Sequence, residues 1–257
     1  AHNRLFVLYG QNDLAYSKAW ETDENRAENF PSTFRTKIGD GSERALAGLV
    51  TDKGRWNGTV RLVPEHLADP LRWRRPRRIF VNSMSDLFHE DVPDKWLFAI
   101  MGPMIAASWH TFLVLTKRPE RMRAFIKKRG YPAFPNIWWG VSVEDQQRAD
   151  ERIPILLDTP AAVRFVSAEP LLGPVAFRNG WVRAGIFGPH PELAGLDWII
   201  VGGESGPGAR PMHPDWARSI RDQCRSAGVA FFMKQMNKKT AIPDDLFIRE
   251  FPDAPRS

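Results

Sequence analysis

Residues 77–93, RRIFVNSMSDLFHEDVP, decide which fold this sequence predicts. Two arginines precede the short apolar run 79–81 (IFV), whose residues favour β-structure. The run ends in small polar residues and the carboxylate Asp86, and a helical pattern begins after Pro93. An apolar run that ends in this way indicates a buried parallel strand, whose carboxyl end delivers Asp86 to a site.

The same pattern recurs five more times along the chain. Apolar runs at 111–115, 137–141, 163–166, 198–201 and 229–233 each end in polar or charged residues. Consecutive runs start roughly 26–35 residues apart, which is the period of a βα unit. We therefore predict an α/β fold, a (βα) barrel of TIM-like type, partial or closed, with about six to seven parallel strands. The chemistry of such barrels lies at the carboxyl ends of the strands.

Asp86 is the candidate site residue that the opening stretch supplies. An aspartate after a strand serves either as a helix cap or as a pocket residue. Asp94 stands directly after Pro93 and is the better candidate for capping the helix that begins there. We therefore expect Asp86 to point into the barrel mouth, within reach of Lys117 or Arg118 at the end of the next strand.

Polar side chains at the other strand ends complete the candidate site. The residues predicted to face a substrate are Asp86, Lys117, Glu169 and Glu204. Glu169 and Glu204 end consecutive strands, where two carboxylates serve as a general acid and base or hold a divalent cation. The alternative for each residue is an ordinary solvated strand end, and for Glu144 and Asp145 it is the favourable dipole at a helix N-terminus. The histidines are scattered, so no metal ligand is assigned.

Composition favours one globular domain without membrane association. The chain has 257 residues, of which 43% are hydrophobic and 26% charged. No apolar run approaches the roughly 18 residues of a membrane helix. The one cysteine, Cys224, excludes an internal disulfide and fits a reducing, cytoplasmic compartment, where a small buried thiol is expected. We expect an atypical N-terminal segment at 1–58, the barrel at 59–236 and a C-terminal tail at 237–257.

The net charge of +6 permits a nucleic-acid partner without requiring one. Basic residues cluster in 71–78 (LRWRRPRR) and again in 117–129. Arginines interleaved with tryptophan suit phosphate contacts combined with base stacking. The alternative, a solvated approach to a strand and a solvated helix face, stays open. The predicted nucleic-acid-binding residues are Arg72, Trp73, Arg74, Arg75, Arg77 and Arg78.

Six long motifs resemble one known family. They are FVNSMSDLFHEDVPD, LTKRPERM, WWGVSVEDQQRADERIP, VRFVSAEPLLGP, WIIVGGESGPGARPMHPDWARSIRDQC and FFMKQM. The chain from about residue 55 onward resembles a phage and prophage protein family of unassigned function. That family is placed in the radical S-adenosylmethionine (radical SAM) superfamily and is distantly similar to spore photoproduct lyase.

The resemblance implies a radical-SAM-like barrel, partial or full, with S-adenosylmethionine across the strand ends. It implies a nucleic-acid or nucleotide substrate only by analogy with spore photoproduct lyase. The glycine-rich loop 202–211 (GGESGPGARP) would approach the ligand closely, and its backbone N–H groups suit a carboxylate or another anion. The residues expected to bind the cofactor are Ser142, Glu144, Gly202, Gly203 and Ser205.

One family motif does not match this chain. In the family, three cysteines spaced C-x6-C-x2-C and followed by tyrosine hold a [4Fe–4S] cluster. With Tyr16 as that tyrosine, Leu5, Asn12 and Ala15 stand where the cysteines belong, and none of them ligates iron as a thiolate does. Two explanations stay open: the chain has lost radical chemistry, or residues 1–50 are atypical or incompletely represented.

Three functional hypotheses follow from the sequence. The first is a SAM-type barrel that modifies or repairs a nucleic-acid or nucleotide substrate. The second is a non-catalytic, phage-associated module that binds nucleic acid or a partner protein through the basic segments. The third is a hydrolase in which Asp86, Glu169 and Glu204 hold Mg²⁺ or Mn²⁺.

Overall fold

The computed structural model describes residues 60–82, 85–177, 195–205, 208–237 and 240–252. The predicted N-terminal segment 1–58 lies outside the described residues. All six predicted strands are present within one or two residues of their expected bounds. They are β1 (Arg78–Val81), β2 (Thr111–Thr116), β3 (Ile137–Ser142), β4 (Arg164–Ala168), β5 (Trp198–Gly202) and β6 (Ala230–Gln235).

The strands form a parallel sheet in chain order, from β1 to β6. Arg78 pairs with Thr111 at the start of β1 and β2, and Ser142 pairs with Ser167 near the ends of β3 and β4. A parallel sheet in this order, with helices between its strands, confirms the predicted α/β class. The chain divides into two compact units between Val114 and Leu115, and each is described by itself below.

Helices occupy the predicted connections. They are α1 (Asp69–Arg72), α2 (Asp94–Ala106), α3 (Pro119–Arg129), α4 (Gln146–Leu157) and α5 (Pro214–Ala227), with 3-10 turns at Pro64–His66 and Asp244–Leu246. The helices α3 and α5 end at Gly130 and Gly228, whose φ angles of +61° and +67° are left-handed and favour glycine. Among the described residues no helix is both long enough and apolar enough to cross a membrane.

The expectation that Asp94 caps α2 is wrong. Pro93 occupies the N-cap position in extended conformation, and no side chain caps this end of the helix. Asp94 is the first helical residue, where the helix dipole stabilises its negative charge. At α4, by contrast, Asp145 is the N-cap, and its Oδ1 accepts a hydrogen bond from the backbone N–H of Arg148 at 2.9 Å.

Part of the predicted C-terminal tail packs against β6, the last strand of the sheet. The backbone N–H of Met233 donates to the carbonyl of Ile248 at 2.8 Å, and that of Glu250 donates to the carbonyl of Phe231 at 2.9 Å. Residues 248–250 run antiparallel to β6 and cover its outer edge. Covering an edge in this way blocks pairing with other chains.

The 3-10 turn Asp244–Leu246 is fastened to α5 by charge. Arg218 donates to both carboxylate oxygens of Asp245, at 2.9 and 3.0 Å, and Arg221 donates to Asp245 Oδ2 at 2.8 Å. The guanidinium of Arg218 lowers the pKa of Asp245 to about 2, with Arg221 contributing. Stability from this contact is therefore present above the ordinary aspartate pKa of about 3.9 and is lost as the pH falls through about 2.

We expect the melting temperature of the Asp245→Asn variant to fall less than that of the unmodified protein between pH 4 and pH 2. Calorimetry across that range measures the difference. Asp244→Asn, at the exposed neighbouring carboxylate, is the control and should follow the unmodified protein. Parallel curves for all three proteins would contradict this account of Asp245.

Candidate functional site

Three glutamates follow the carboxyl ends of β3, β4 and β5, in the unit that begins at Leu115. We call them the strand-end glutamates; they are Glu144, Glu169 and Glu204. Because Ser142 pairs with Ser167 and Ala168 with Val201, these neighbouring strands end at the same edge of the sheet. Each strand-end glutamate is bonded to at least one lysine or arginine.

Glu144 lies between two cations and is largely buried. Its Oε1 accepts from Lys117 Nζ, and its Oε2 accepts from Arg152 Nη1 at 2.9 Å. The same Arg152 nitrogen donates to the carbonyl of Ser142 at 2.7 Å, which ties the end of β3 to α4. The structure thus brings together Lys117, predicted to face the substrate, and Glu144 and Ser142, predicted to bind the cofactor.

Glu169 forms an ion pair with Lys234 at the end of β6. Lys234 Nζ lies 2.8 Å from Glu169 Oε2, and both side chains are about four-fifths buried. The glutamate lies over Gly202, where a Cβ would come within 3.0 Å of Glu169 Cδ. Gly202 therefore makes room for this carboxylate. Lys234 is not among the predicted site residues, although its position directly after the run 229–233 is a usable signal.

Glu204 is held in a bidentate pair with Arg210. The guanidinium Nε and Nη2 donate to the two carboxylate oxygens at 2.8 Å each, and the backbone N–H of Arg210 adds a third bond at 2.8 Å. Arg210 lowers the pKa of Glu204 to about 2, so this carboxylate is ionised at neutral pH and does not suit a general acid. Glu204 and, more weakly, Glu144 raise the pKa of Arg210, which links the two charge clusters.

Only glycine fits at position 203, because backbone atoms of the residues after β6 lie where a side chain would be. A Cβ at this position would lie 2.5 Å from the backbone nitrogen of Asn237 and 2.8 Å from the carbonyl carbon of Met236. The expected close approach of a ligand is therefore not needed to explain this glycine. Ser205, the last predicted cofactor residue, lies exposed in the loop after β5.

The residues present do not fit the iron–sulfur cluster that the resemblance implies. Such a cluster needs three cysteine thiolates, and the chain has one cysteine, Cys224. Cys224 is fully buried in α5, as expected, and burial raises the pKa of its thiol to about 12. In the described part of the chain, no group of three or more His, Cys, Asp or Glu side chains is arranged to hold a metal ion.

Asp86 lies in the unit that ends at Val114, in the loop after β1. Its Oδ1 accepts from the backbone N–H of Phe88 at 2.9 Å, which stabilises a local turn. This bond is an alternative to helix capping that the sequence analysis did not consider. The expected approach of Asp86 to Lys117 or Arg118 stays a prediction.

Arg78 is the first residue of β1, and the other five predicted nucleic-acid-binding residues run from the end of α1 to just before that strand. We define the Arg–Trp surface by these residues together with Trp109: Arg72, Trp73, Arg74, Arg75, Arg77 and Trp109. Trp109 is 42% exposed, and its indole N–H donates to the carbonyl of Trp73 at 2.8 Å. The guanidinium carbon of Arg77 stacks 4.6 Å from the centre of the Trp73 ring. Trp109, which lies just before β2, is not among the residues predicted from the sequence.

A buried histidine fixes this surface to the fold. His110 Nδ1 accepts from the backbone N–H of Arg77 at 3.1 Å, and Nε2 lies 3.0 Å from the carbonyl of Pro70. Burial lowers the pKa of His110, so a neutral ring donates through Nε2. The segment that carries the arginines is therefore held at both ends.

The arginines of the surface differ in what they contact. Arg72 pairs with Asp69 at 2.9 Å, which offsets part of its charge. Arg74 and Arg75 are exposed, and neither has an ion pair or a hydrogen bond among the described residues. Asp86 follows the carboxyl end of β1, whereas Arg77 precedes its amino end, so the Arg–Trp surface and Asp86 lie at opposite ends of this strand.

The second basic segment is partly neutralised. On α3, Arg123 and Lys127 bind the carboxylate of Asp158 at 3.0 and 2.6 Å. Lys127 and then Arg123 lower the pKa of Asp158, which keeps the carboxylate charged. For these two residues the solvated helix face, with internal ion pairs, is the better description.

Comparison with known proteins gives a family. No curated protein and no solved structure matches the chain significantly. A family described as "protein of unknown function (DUF5131)" matches residues 26–244, which is most of the 257 residues. The chain therefore belongs to the DUF5131 family.

Proposed function

We propose that this protein is a radical-SAM-like half-barrel that binds nucleic acid through the Arg–Trp surface. The observation that carries the proposal is the placement of exposed Arg74 and Arg75 close in sequence to Trp73, which anchors the exposed indole of Trp109. Arginines contact phosphates, and an exposed aromatic ring stacks on a base. The positive net charge of +6 favours the same partner.

Single-stranded nucleic acid fits this surface better than a duplex. Stacking on Trp109 needs a base whose face is accessible, which an unpaired strand provides. The indole N–H is already bonded to the Trp73 carbonyl, so the ring contributes its face rather than a hydrogen bond. Recognition of this kind depends on salt and tolerates many sequences.

Charge reversal of Arg74 and Arg75 tests the proposal. We expect the Arg74→Glu, Arg75→Glu double variant to bind a labelled oligothymidine at least tenfold more weakly, because two phosphate contacts are replaced by repulsion. The slope of log K against log[salt] should flatten by about 1.4, since each phosphate on a single strand contributes about 0.7. Fluorescence anisotropy across a salt series measures both quantities.

The matched control reverses the same number of charges elsewhere. Arg123→Glu with Lys127→Glu changes the net charge equally but removes residues that pair with Asp158. We expect this variant to retain most of the affinity and the salt slope. Equal weakening by the two double variants would show that net charge alone attracts the strand, and an unmodified protein that does not bind would refute the proposal.

A second candidate function is binding of S-adenosylmethionine at the strand-end glutamates. What supports it is the alternation of carboxylates with Lys117, Arg152, Arg210 and Lys234 at this edge. The amino-acid group of this ligand carries an ammonium and a carboxylate. The ammonium is able to pair with Glu204 and the carboxylate with Arg210, in place of the bond between these two residues. When bound, S-adenosylmethionine supplies an electrophilic sulfonium centre, and this chain's residues orient its amino-acid end.

Calorimetric titration with S-adenosylmethionine tests the second candidate. We expect Glu204→Gln to weaken binding at least tenfold, since the ammonium loses its counter-charge. Glu151→Gln, in an exposed pair with Arg148 on α4, is the control and should not change the affinity. Adenosine, which lacks the amino-acid group, should bind more weakly. No measurable heat with the unmodified protein would eliminate this candidate.

A further inference from the structure

The loop after β1 contains buried side-chain polar atoms that have no hydrogen-bond partner among the residues that the structure describes. Six such side-chain atoms occur among the described residues, and four of them fall within residues 82–89. The four are Nδ2 and Oδ1 of Asn82, Oγ of Ser85 and Nε2 of His89. Buried polar groups in folded proteins nearly always have a hydrogen-bond partner, so this concentration in one loop points to a ligand.

Asn82 is the central residue of this group. Its side chain is buried, with 7% of the residue exposed, and both ends of its amide are unsatisfied. Its φ of +56° makes it the one non-glycine residue in the left-handed region within the described part of the chain. Unusual backbone conformations of this kind concentrate at ligand-binding sites, and here the residue directly follows a strand.

Backbone hydrogen bonds and buried neighbours hold Asn82, Ser85 and His89 in place. The backbone N–H of Ser85 donates to the Asn82 carbonyl at 3.1 Å, and that of His89 donates to the Asp86 carbonyl at 3.1 Å. Leu87 and Phe88 are buried and anchor the loop in the core. The unsatisfied groups are therefore fixed in position before any ligand arrives, which lowers the entropic cost of binding.

His89 contributes a hydrogen-bond donor. It is 2% exposed, and its Nδ1 accepts from the backbone N–H of Asp91 at 3.2 Å. Because Nδ1 accepts this bond, Nε2 is the ring nitrogen that carries a proton. The Oε1 atom of Glu90 lies 3.3 Å from Nε2 but outside hydrogen-bond geometry.

We propose that this loop binds a nucleobase. The Asn82 amide offers a donor beside an acceptor, which matches a base edge with an acceptor beside a donor, as in the pairing of asparagine with adenine. Ser85 Oγ and His89 Nε2 add further hydrogen-bonding groups. None of the unsatisfied atoms in the loop belongs to a lysine or an arginine, so the group does not fit a phosphate or a carboxylate.

The nucleobase site is separate from the Arg–Trp surface. Arg77 and Arg78 lie at the amino end of β1, and Asn82 follows its carboxyl end. A strand of this length spans about 13 Å at roughly 3.3 Å per residue. Each site is therefore expected to bind its ligand without the other, and loss of one leaves the other measurable.

Titration with nucleosides, observed by saturation-transfer NMR and calorimetry, tests the proposal. We expect adenosine to bind the full chain, and Asn82→Gly to weaken that binding at least tenfold. The same variant should melt at the same temperature as the unmodified protein or higher, because glycine favours the left-handed conformation and the buried amide is gone. Asn136→Gly, in the loop before β3, is the control and should bind adenosine normally.

Three results would overturn the proposal. They are no binding of any of the four nucleosides to the unmodified protein, unchanged binding to Asn82→Gly, and a clear drop in the melting temperature of Asn82→Gly. The last result would show that the amide stabilises the fold through buried water. An oligonucleotide with one unpaired adenine distinguishes two sources: competition with adenosine identifies a base within a strand, and lack of competition identifies a free nucleoside, and both support a nucleobase site.

Discussion

Replacing Trp198 by alanine is expected to lower the free energy of unfolding by about 3–5 kcal/mol. Trp198 is fully buried in β5. Its ring centre lies 5.8 Å from that of Phe165, 6.0 Å from that of Phe232 and 5.3 Å from that of Phe251. Removing the indole leaves a large cavity among these three rings, each of which loses a packing contact. At this chain length the loss corresponds to a fall in melting temperature of roughly 6–20 °C.

Trp198→Phe separates the ring from its hydrogen bond. The indole N–H donates to the carbonyl of Glu250 at 3.0 Å, which fastens the C-terminal segment to β5. Phenylalanine retains most of the packing but leaves this carbonyl without its donor, so we expect a loss of about 1 kcal/mol. Denaturant unfolding of both variants measures the difference. Equal losses for Ala and Phe would show that the hydrogen bond, and not the packing, matters here.

Replacing Gly203 by alanine is expected to destabilise the protein by about 1–3 kcal/mol or more. The new Cβ would lie 2.5 Å from the backbone nitrogen of Asn237, and a backbone atom moves aside less readily than a flexible side chain. The change would also disturb the bond from the Gly203 N–H to the Gln235 carbonyl, which is 3.0 Å long. Thermal melting in the absence of any ligand tests this expectation.

Two other glycines serve as controls for Gly203→Ala. At Gly173 a Cβ would meet nothing within 4 Å, so Gly173→Ala should leave the melting temperature unchanged or slightly raised. Gly202→Ala should have an intermediate effect, because the three atoms nearest to its Cβ would all belong to the flexible side chain of Glu169. If Gly203→Ala melted normally but lost binding of S-adenosylmethionine, the glycine would belong to a cofactor site instead.

The sheet could be predicted from the sequence because each strand is a short apolar run with a polar exit. Six repeats of this pattern at one spacing define parallel order, and burial of both faces makes each run almost continuously apolar, as in β3 and β5. The error at Asp94 has a local cause. Either Pro93 or Asp94 was able to occupy the N-cap, and spacing alone does not distinguish positions one residue apart.

The partners of the site residues could not be predicted in the same way. Glu169 meets Lys234 across 65 residues of sequence, and only the alignment of β4, β5 and β6 brings the two together. The composition of 71–78 indicated a basic aromatic surface, but the addition of Trp109 depends on the pairing of β1 with β2. For Asn82, no pattern in the sequence indicates that both ends of the amide are buried without a hydrogen-bond partner among the described residues.

The edge of β6 is covered by residues that are synthesised after it, so this strand is exposed for a time during translation. A ribosome completes β6 before it makes residues 248–250, and at about 5–20 residues per second the interval is roughly 1–3 s. During that time the outer backbone groups of β6 lack their hydrogen-bond partners in residues 248–250. The indole N–H of Trp198 likewise lacks the carbonyl of Glu250. A nascent chain paused there, or one cut short by a stop codon after Met236, would present an open strand to its neighbours on the same messenger RNA.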